Sequence, residues 1–244
     1  MNDSMIKYLF DLIRLCPFVK SNPSYTESAA NTTARYDESN DVNAYAYTEH
    51  GKNHVVMLAG ICNVSLVGGY ALATRDPRII KDAMVAASRR CHASRGEFTH
   101  MDAIKCVNDS IPHVSEKTRL DGESFAYGCL VSVMAHELGH ICLHHTIQPR
   151  SDDGHTDAIS RNNERCADLF ASSVVETTPF AGYMIPADLM ANVYLAWLSD
   201  DTRKATTHPY ARERAEYIYN SHIELLGEYG ITREVFEAIM PPRS

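Results

Sequence analysis

The opening stretch MNDSMIKYLFDLIRLCPF mixes apolar residues with Asp3, Asp11 and Arg14 and reads as an amphipathic helix. Residues 20–40, KSNPSYTESAANTTARYDESN, are small and polar and read as a loop. Two strands follow, Val42 to Tyr47 and His54 to Ala59, joined by a turn at EHGKN that contains Gly51. RDPRIIKDAMVAASRRC has helical apolar spacing, with Asp76 as cap and Pro77 at the first helical position. THMDAIKCVNDSI reads as a short helix capped by Thr99. DGESFAYGCLVSVMAHELGHICLHH runs without proline from a candidate cap at Asp121, and a helix apolar on most faces is expected to be buried. TIQPRSDDGHTDAISRNN reads as loop. NERCADLFASSVVE reads as a helix with Leu169, Phe170, Val174 and Val175 on its apolar side. Three more helices are expected in PADLMANVYLAWLSDD, PYARERAEYIYNSHIELLGEY and TREVFEAIM, the last capped by Thr232. No internal repeat or low-complexity linker interrupts the pattern. The expected fold is α+β: a mainly helical single domain with a small sheet or hairpin. Residues 1–41 form an N-terminal helix and polar loop in this reading, and residues 42–244 the main domain.

One apolar run tests this picture. Residues 54–73, HVVMLAGICNVSLVGGYALA, carry no formal charge, and roughly 20 such residues can span a bilayer. Gly60, Asn63, Ser65, Gly68 and Gly69 divide the run in two, so a membrane span is not expected.

Composition changes little here. Of the 244 residues, 45% are apolar and 22% charged, ordinary globular usage that allows a sizeable core. The net charge of −8 argues against a nucleic-acid partner, which favours a basic face. Seven cysteines stand singly, with no C-x-x-C pair, and fit a reduced compartment as small core residues. The N-terminus lacks a signal-peptide core, so a cytoplasmic protein is expected.

The candidate chemistry lies in HELGH. On a helix, His136 and His140 are one turn apart and can face one metal ion, with Glu137 beside them, placed to take a proton from water. A buried helix whose histidines bond to neighbours would show the same pattern. Zinc binds imidazole nitrogen at roughly 2.0–2.1 Å and keeps an open position when catalytic. It needs a third protein ligand here. The extended pattern with a glycine and third histidine is absent, because Leu143 and Thr146 occupy those places. NERCAD supplies Glu164 as ligand and, one turn on, Asp168 to hold the outer N–H of a ligand histidine. His144 and His145 compete as ligands, although helical phase turns them progressively away.

HELGH followed by ERCAD resembles the H-E-x-x-H plus E-x-x-A-D pattern of gluzincin peptidases. VNAYAYTEHGKNHVVMLAGI looks like the hairpin of the CaaX-prenyl-protease and HtpX-like heat-shock-protease family. THPYARER is similar to that family's H-P-x-x-x-x-R, with His208, Pro209 and Arg214 in register, and His145 falls where the family often has a histidine. The resemblance covers roughly residues 42–215. The bacterial phage-exclusion peptidases, also zincins, are a second likeness.

The resemblance implies a zincin-like, zinc-dependent endopeptidase with one Zn²⁺ per chain, acting on protein or peptide substrates. Many members of that family carry transmembrane helices; this chain departs from them, and no membrane partner is expected. The resemblance implies ligands His136, His140 and Glu164, with Glu137 as base and then acid. It also implies His208 and Arg214 at the transition state, where a developing oxyanion needs a second donor. Pro209 biases His208 toward extended backbone at a helix entrance, which supports that role; Tyr210 is the rival donor. Substrate would add as a strand along His54, Val55, Val56, Met57, Leu58 and Ala59, if these form an open sheet edge; their composition also fits a buried core strand. Two other readings stay open: a zincin-fold regulatory module that binds zinc without turnover, and a membrane peptidase anchored by residues 54–73.

Overall fold

A computed structural model describes residues 1–111, 113–146, 156–198 and 211–241. The chain starts with α1 (Asp3–Leu15), whose buried Ile6, Leu9, Phe10 and Ile13 recur at three- and four-residue steps. Two short helices follow, α2 (Pro17–Ser21) and α3 (Pro23–Ala30), then strand β1 (Thr32–Asp37). The expected polar loop over residues 20–40 is thus overturned. Asn22 caps α3 by accepting from the Ser24 and Tyr25 N–H groups, and Pro23 starts it. Main-chain pairing then draws the polar TTARYD into the sheet.

Strands β2 (Ala44–Glu49) and β3 (Lys52–Leu58) form the expected hairpin. Its two-residue turn has His50 and Gly51 both at positive φ, 50° and 74°. A turn of that twist suits a hairpin, and glycine enters it without steric cost. The sheet order is β1-β3-β2, with β1 parallel and β2 antiparallel to β3.

Helix α4 (Ala59–Ala73) follows β3 directly and is buried on most faces. The uncharged run is therefore a core strand and a core helix, and no helix among the described residues is long and apolar enough to cross a membrane. The Asp76 cap and Pro77 start α5 (Pro77–Ala93), and Thr99 and Asp102 form a capping box on α6 (His100–Ser110). The long helix α7 (Glu116–Cys142) begins earlier than Asp121, because Ser115 caps it through the Thr118 N–H. Helix α8 (Thr156–Thr177) likewise starts before the expected NERCAD, and Leu169 is exposed on it.

Helix α9 (Ala181–Leu198) contains Pro186 where a start was expected; the proline omits one main-chain bond near the first turns without ending the helix. The expected single helix over 209–229 divides at His222 into α10 (Ala211–Ser221) and α11 (Ile223–Glu228); α12 (Arg233–Ile239) has its Thr232 cap. The sheet packs on α1 and α7, and α7 runs through the core between α4, α8 and α9. The seven cysteines are free and six are buried.

Candidate metal centre

Helix α7 presents Ser132, His136 and His140 at four-residue steps, hence on one face. Opposite lies α8, with Glu164 and Asp168 one turn apart. Gly139 permits this approach: a Cβ there would meet Phe170 Cβ at 3.1 Å and Ala167 Cα at 3.2 Å. The helices come close enough for short side chains to meet between them.

The two imidazoles converge, with His136 Nε2 and His140 Nε2 3.1 Å apart. Glu164 straddles them, Oε2 lying 3.2 Å from His136 Nε2 and Oε1 3.4 Å from His140 Nε2. One ligand atom from each of the three residues lies within 4.8 Å of the others. Glu164 is 8% exposed, so this carboxylate is held away from water. Two nitrogens and a carboxylate meeting at one buried point are the donor set of a divalent ion with nitrogen and oxygen ligands.

Behind the histidines stand their supports. Asp168 Oδ1 is 2.8 Å from His136 Nδ1 and 2.6 Å from Arg214 Nη2. Both contacts are short without the alignment of hydrogen bonds. His140 Nδ1 meets His145 Nδ1 at 3.1 Å. Each of the two histidines thus has an outer partner that can orient its ring.

Helical phase misplaced His145. Helix α7 ends at Cys142, and His144, at φ 61°, turns the chain so that His145 N–H donates to the His140 carbonyl at 2.8 Å. Its ring then packs on His140, whereas His144 is exposed.

The electrostatics favour a cation. Burial pushes the His136 imidazole down, but Asp168 and Glu164 outweigh it and hold the group up at about 9. Burial, reinforced by His140, pushes His145 down to about 4. The two carboxylates therefore draw positive charge to His136, and a metal ion bound there would replace the proton.

The other expected residues fall as follows. Glu137 is half-buried and makes no hydrogen bond or ion pair among the described residues. Arg214 lies against Asp168. His208 and Tyr210 lie outside the described residues. The open-edge expectation for 54–59 is overturned: β3 is the central strand, paired with β1 on one side and β2 on the other, and Ala59 begins α4. Pairing on both sides consumes the main-chain groups that an added strand would need. His54 instead stacks on Tyr47, ring centroids 4.7 Å apart. Among the described residues the sheet edge near α7 that pairs with no further strand belongs to β2, where Thr48 Oγ1 meets Thr146 Oγ1 at 2.9 Å, just past the end of α7.

Sequence reasoning missed Ser132 and Asp188. Ser132 donates to Asp188 on α9, one turn before His136. Ser132 stands four residues before His136, and that spacing was the available signal.

Residues 131–192 match the profile of the IrrE N-terminal-like domain, peptidase family M78. The matched segment holds both histidines, Glu164 and Asp168. It supports a metallopeptidase class for this region, without bearing on the CaaX-prenyl-protease and HtpX-like likeness. No curated protein and no solved structure matches the chain.

Proposed function

We propose that this protein is a zinc-dependent endopeptidase that hydrolyses peptide bonds of protein or peptide substrates. The observation that carries the reading is the meeting of His136, His140 and Glu164 at one buried point, with Asp168 and His145 behind the two imidazoles. Zinc, when bound there, supplies Lewis acidity toward water and a peptide carbonyl. Glu137, one residue from the first ligand, takes the proton from the attacking water and returns it to the leaving amine. Asp168 holds the His136 ring, and Arg214 lies against Asp168 from the other side. His208 or Tyr210 donates to the developing oxyanion, a role that rests on the H-P-x-x-x-x-R likeness.

Substrate lies along the free edge of β2 rather than along β3. An extended peptide can pair with Ala44–Glu49 main chain and cross the end of α7, with no demand on every side chain.

The test is metal analysis of the purified chain with a peptide-library digest, with and without chelator, beside Glu137→Gln. One zinc per chain and chelator-sensitive cleavage that drops about 10²–10⁴-fold in Glu137→Gln are expected. Zinc without any cleavage would assign the centre a binding or regulatory role instead.

A further inference from the structure

A second buried acid adjoins the metal centre from a third helix. Asp188 on α9 is 4% exposed and accepts a short hydrogen bond from Ser132. Asn192 Nδ2 lies 3.3 Å from the same Asp188 oxygen and donates to the Asp188 carbonyl at 2.9 Å. Ser132, His136 and His140 share one face of α7, so Asp188 joins that face a turn before the first ligand. A Cβ on Gly128 would meet Ala187 Cβ at 2.6 Å, so α9 is pressed onto α7 beside this residue.

The charges acting on Asp188 come from every side of the centre: His136 on α7, Asp168 on α8 and Arg214 on α10. Burial pushes its carboxyl up to about 6; Ser132, Arg214 and His136 pull it down, and Asp168 pushes it up further. Glu164 lies between His136 and His140, Asp168 lies against His136, and Asp188 is bonded one turn before them on the same face. Among the described residues Arg214 is the fixed cation against these carboxylates. Negative charge gathered in a poorly hydrated place favours a bound cation.

Resting on the proposed metal site, we infer that Asp188 is a positioning residue of that centre: its buried carboxylate, anchored by Ser132 one turn before His136, adds negative charge that strengthens the hold on a divalent ion and that Arg214 opposes. It touches neither the ion nor substrate. A carboxylate kept in the core for packing alone would be indifferent to the metal.

Zinc affinity, read by competition with a chromophoric chelator, tests this apart from turnover. The proteins are the wild type, Asp188→Asn, Arg214→Gln and the double variant. Asp188→Asn should weaken zinc binding about 10–100-fold. The double variant, which removes one charge of each sign, should bind zinc more tightly than Asp188→Asn alone. A merely structural aspartate predicts the reverse, with the double variant weaker than either single one. That result, or wild-type affinity in Asp188→Asn, overturns the inference and leaves the peptidase reading standing. A wild-type chain that binds no zinc overturns both. If circular dichroism shows Asp188→Asn unfolded, Ser132→Ala serves instead: it keeps the charge, loses the anchor, and should weaken zinc about 2–10-fold. Unchanged affinity there also overturns the inference.

Discussion

Helices α4 and α7 pack against each other, and both are buried on most faces, yet only α7 of the two brings ionisable side chains against those of other helices. Two polar residues of α4, Asn63 and Ser65, are satisfied by main chain. Asn63 donates to the Phe98 carbonyl at 3.0 Å, and Ser65 donates to the Ile61 carbonyl one turn back at 2.9 Å. On α7, Ser132, His136 and His140 reach side chains of other elements: Asp188 on α9, Glu164 and Asp168 on α8, and His145 beyond the helix end. A buried polar group that bonds only to nearby carbonyls is inert scaffold. One that meets ionisable partners from separate helices becomes a site, because the low-polarity surroundings strengthen each charge on the others.

The comparison breaks first at Glu164. Glu164→Ala should lower zinc affinity at least ~10²-fold, since two imidazoles hold the ion poorly. Ser65→Ala on α4 should leave zinc content unchanged and alter stability by no more than about 1 kcal/mol. Metal content after dialysis and chemical unfolding measure both. Full zinc in Glu164→Ala would hand the ligand role to another residue, His145 first.

A second difference is pH dependence. The Asp188 carboxyl is raised to about 6, chiefly by burial. The folded state then binds this proton more tightly than the unfolded chain. The favourable contribution is present at low pH and is lost as pH rises through the folded value. Asp188→Asn has no such proton. Relative to the parent it should gain stability between about pH 4 and pH 7, on the order of 1–3 kcal/mol, in chelator-treated urea unfolding. A constant difference across that window would mean the carboxyl is not raised. No comparable acid lies on α4.

The glycines sharpen the contrast at smaller scale. Gly139→Ala places a methyl 3.1–3.3 Å from Phe170 and Ala167 and should cost about 1–3 kcal/mol, weakening zinc as α8 shifts. Gly68→Ala on α4 meets nothing within 4 Å and should stabilise by up to about 1 kcal/mol with zinc unchanged. Thermal melts with and without chelator distinguish the two. If Gly139→Ala melts like the parent, α7 and α8 are less tightly apposed than described.

Legibility followed the range of the interactions. Caps at Asp76, Thr99 and Thr232, and the turn at Gly51, were readable because each is made within a few residues. So were the pairs His136/His140 and Glu164/Asp168, since four-residue spacing puts both members on one helical face. The start of α7 was placed late because Asp121 and Ser115 are both capping types, and only the Ser115 bond to Thr118 N–H chooses between them.

By itself, then, the sequence determined the mainly helical α+β class, the faces of α7 and α8 that carry His136, His140, Glu164 and Asp168, and Glu137 beside them. Side-chain periodicity encodes such faces directly. Only the tertiary structure decided that β3 is central, because strand order depends on main-chain groups that every residue shares. It also decided that His145 folds back onto His140, that Arg214 lies against Asp168, and that Asp188 joins Ser132. The last two pairs join residues more than forty positions apart, and the first turns on one residue in a left-handed conformation; no local pattern of apolar and polar residues records either.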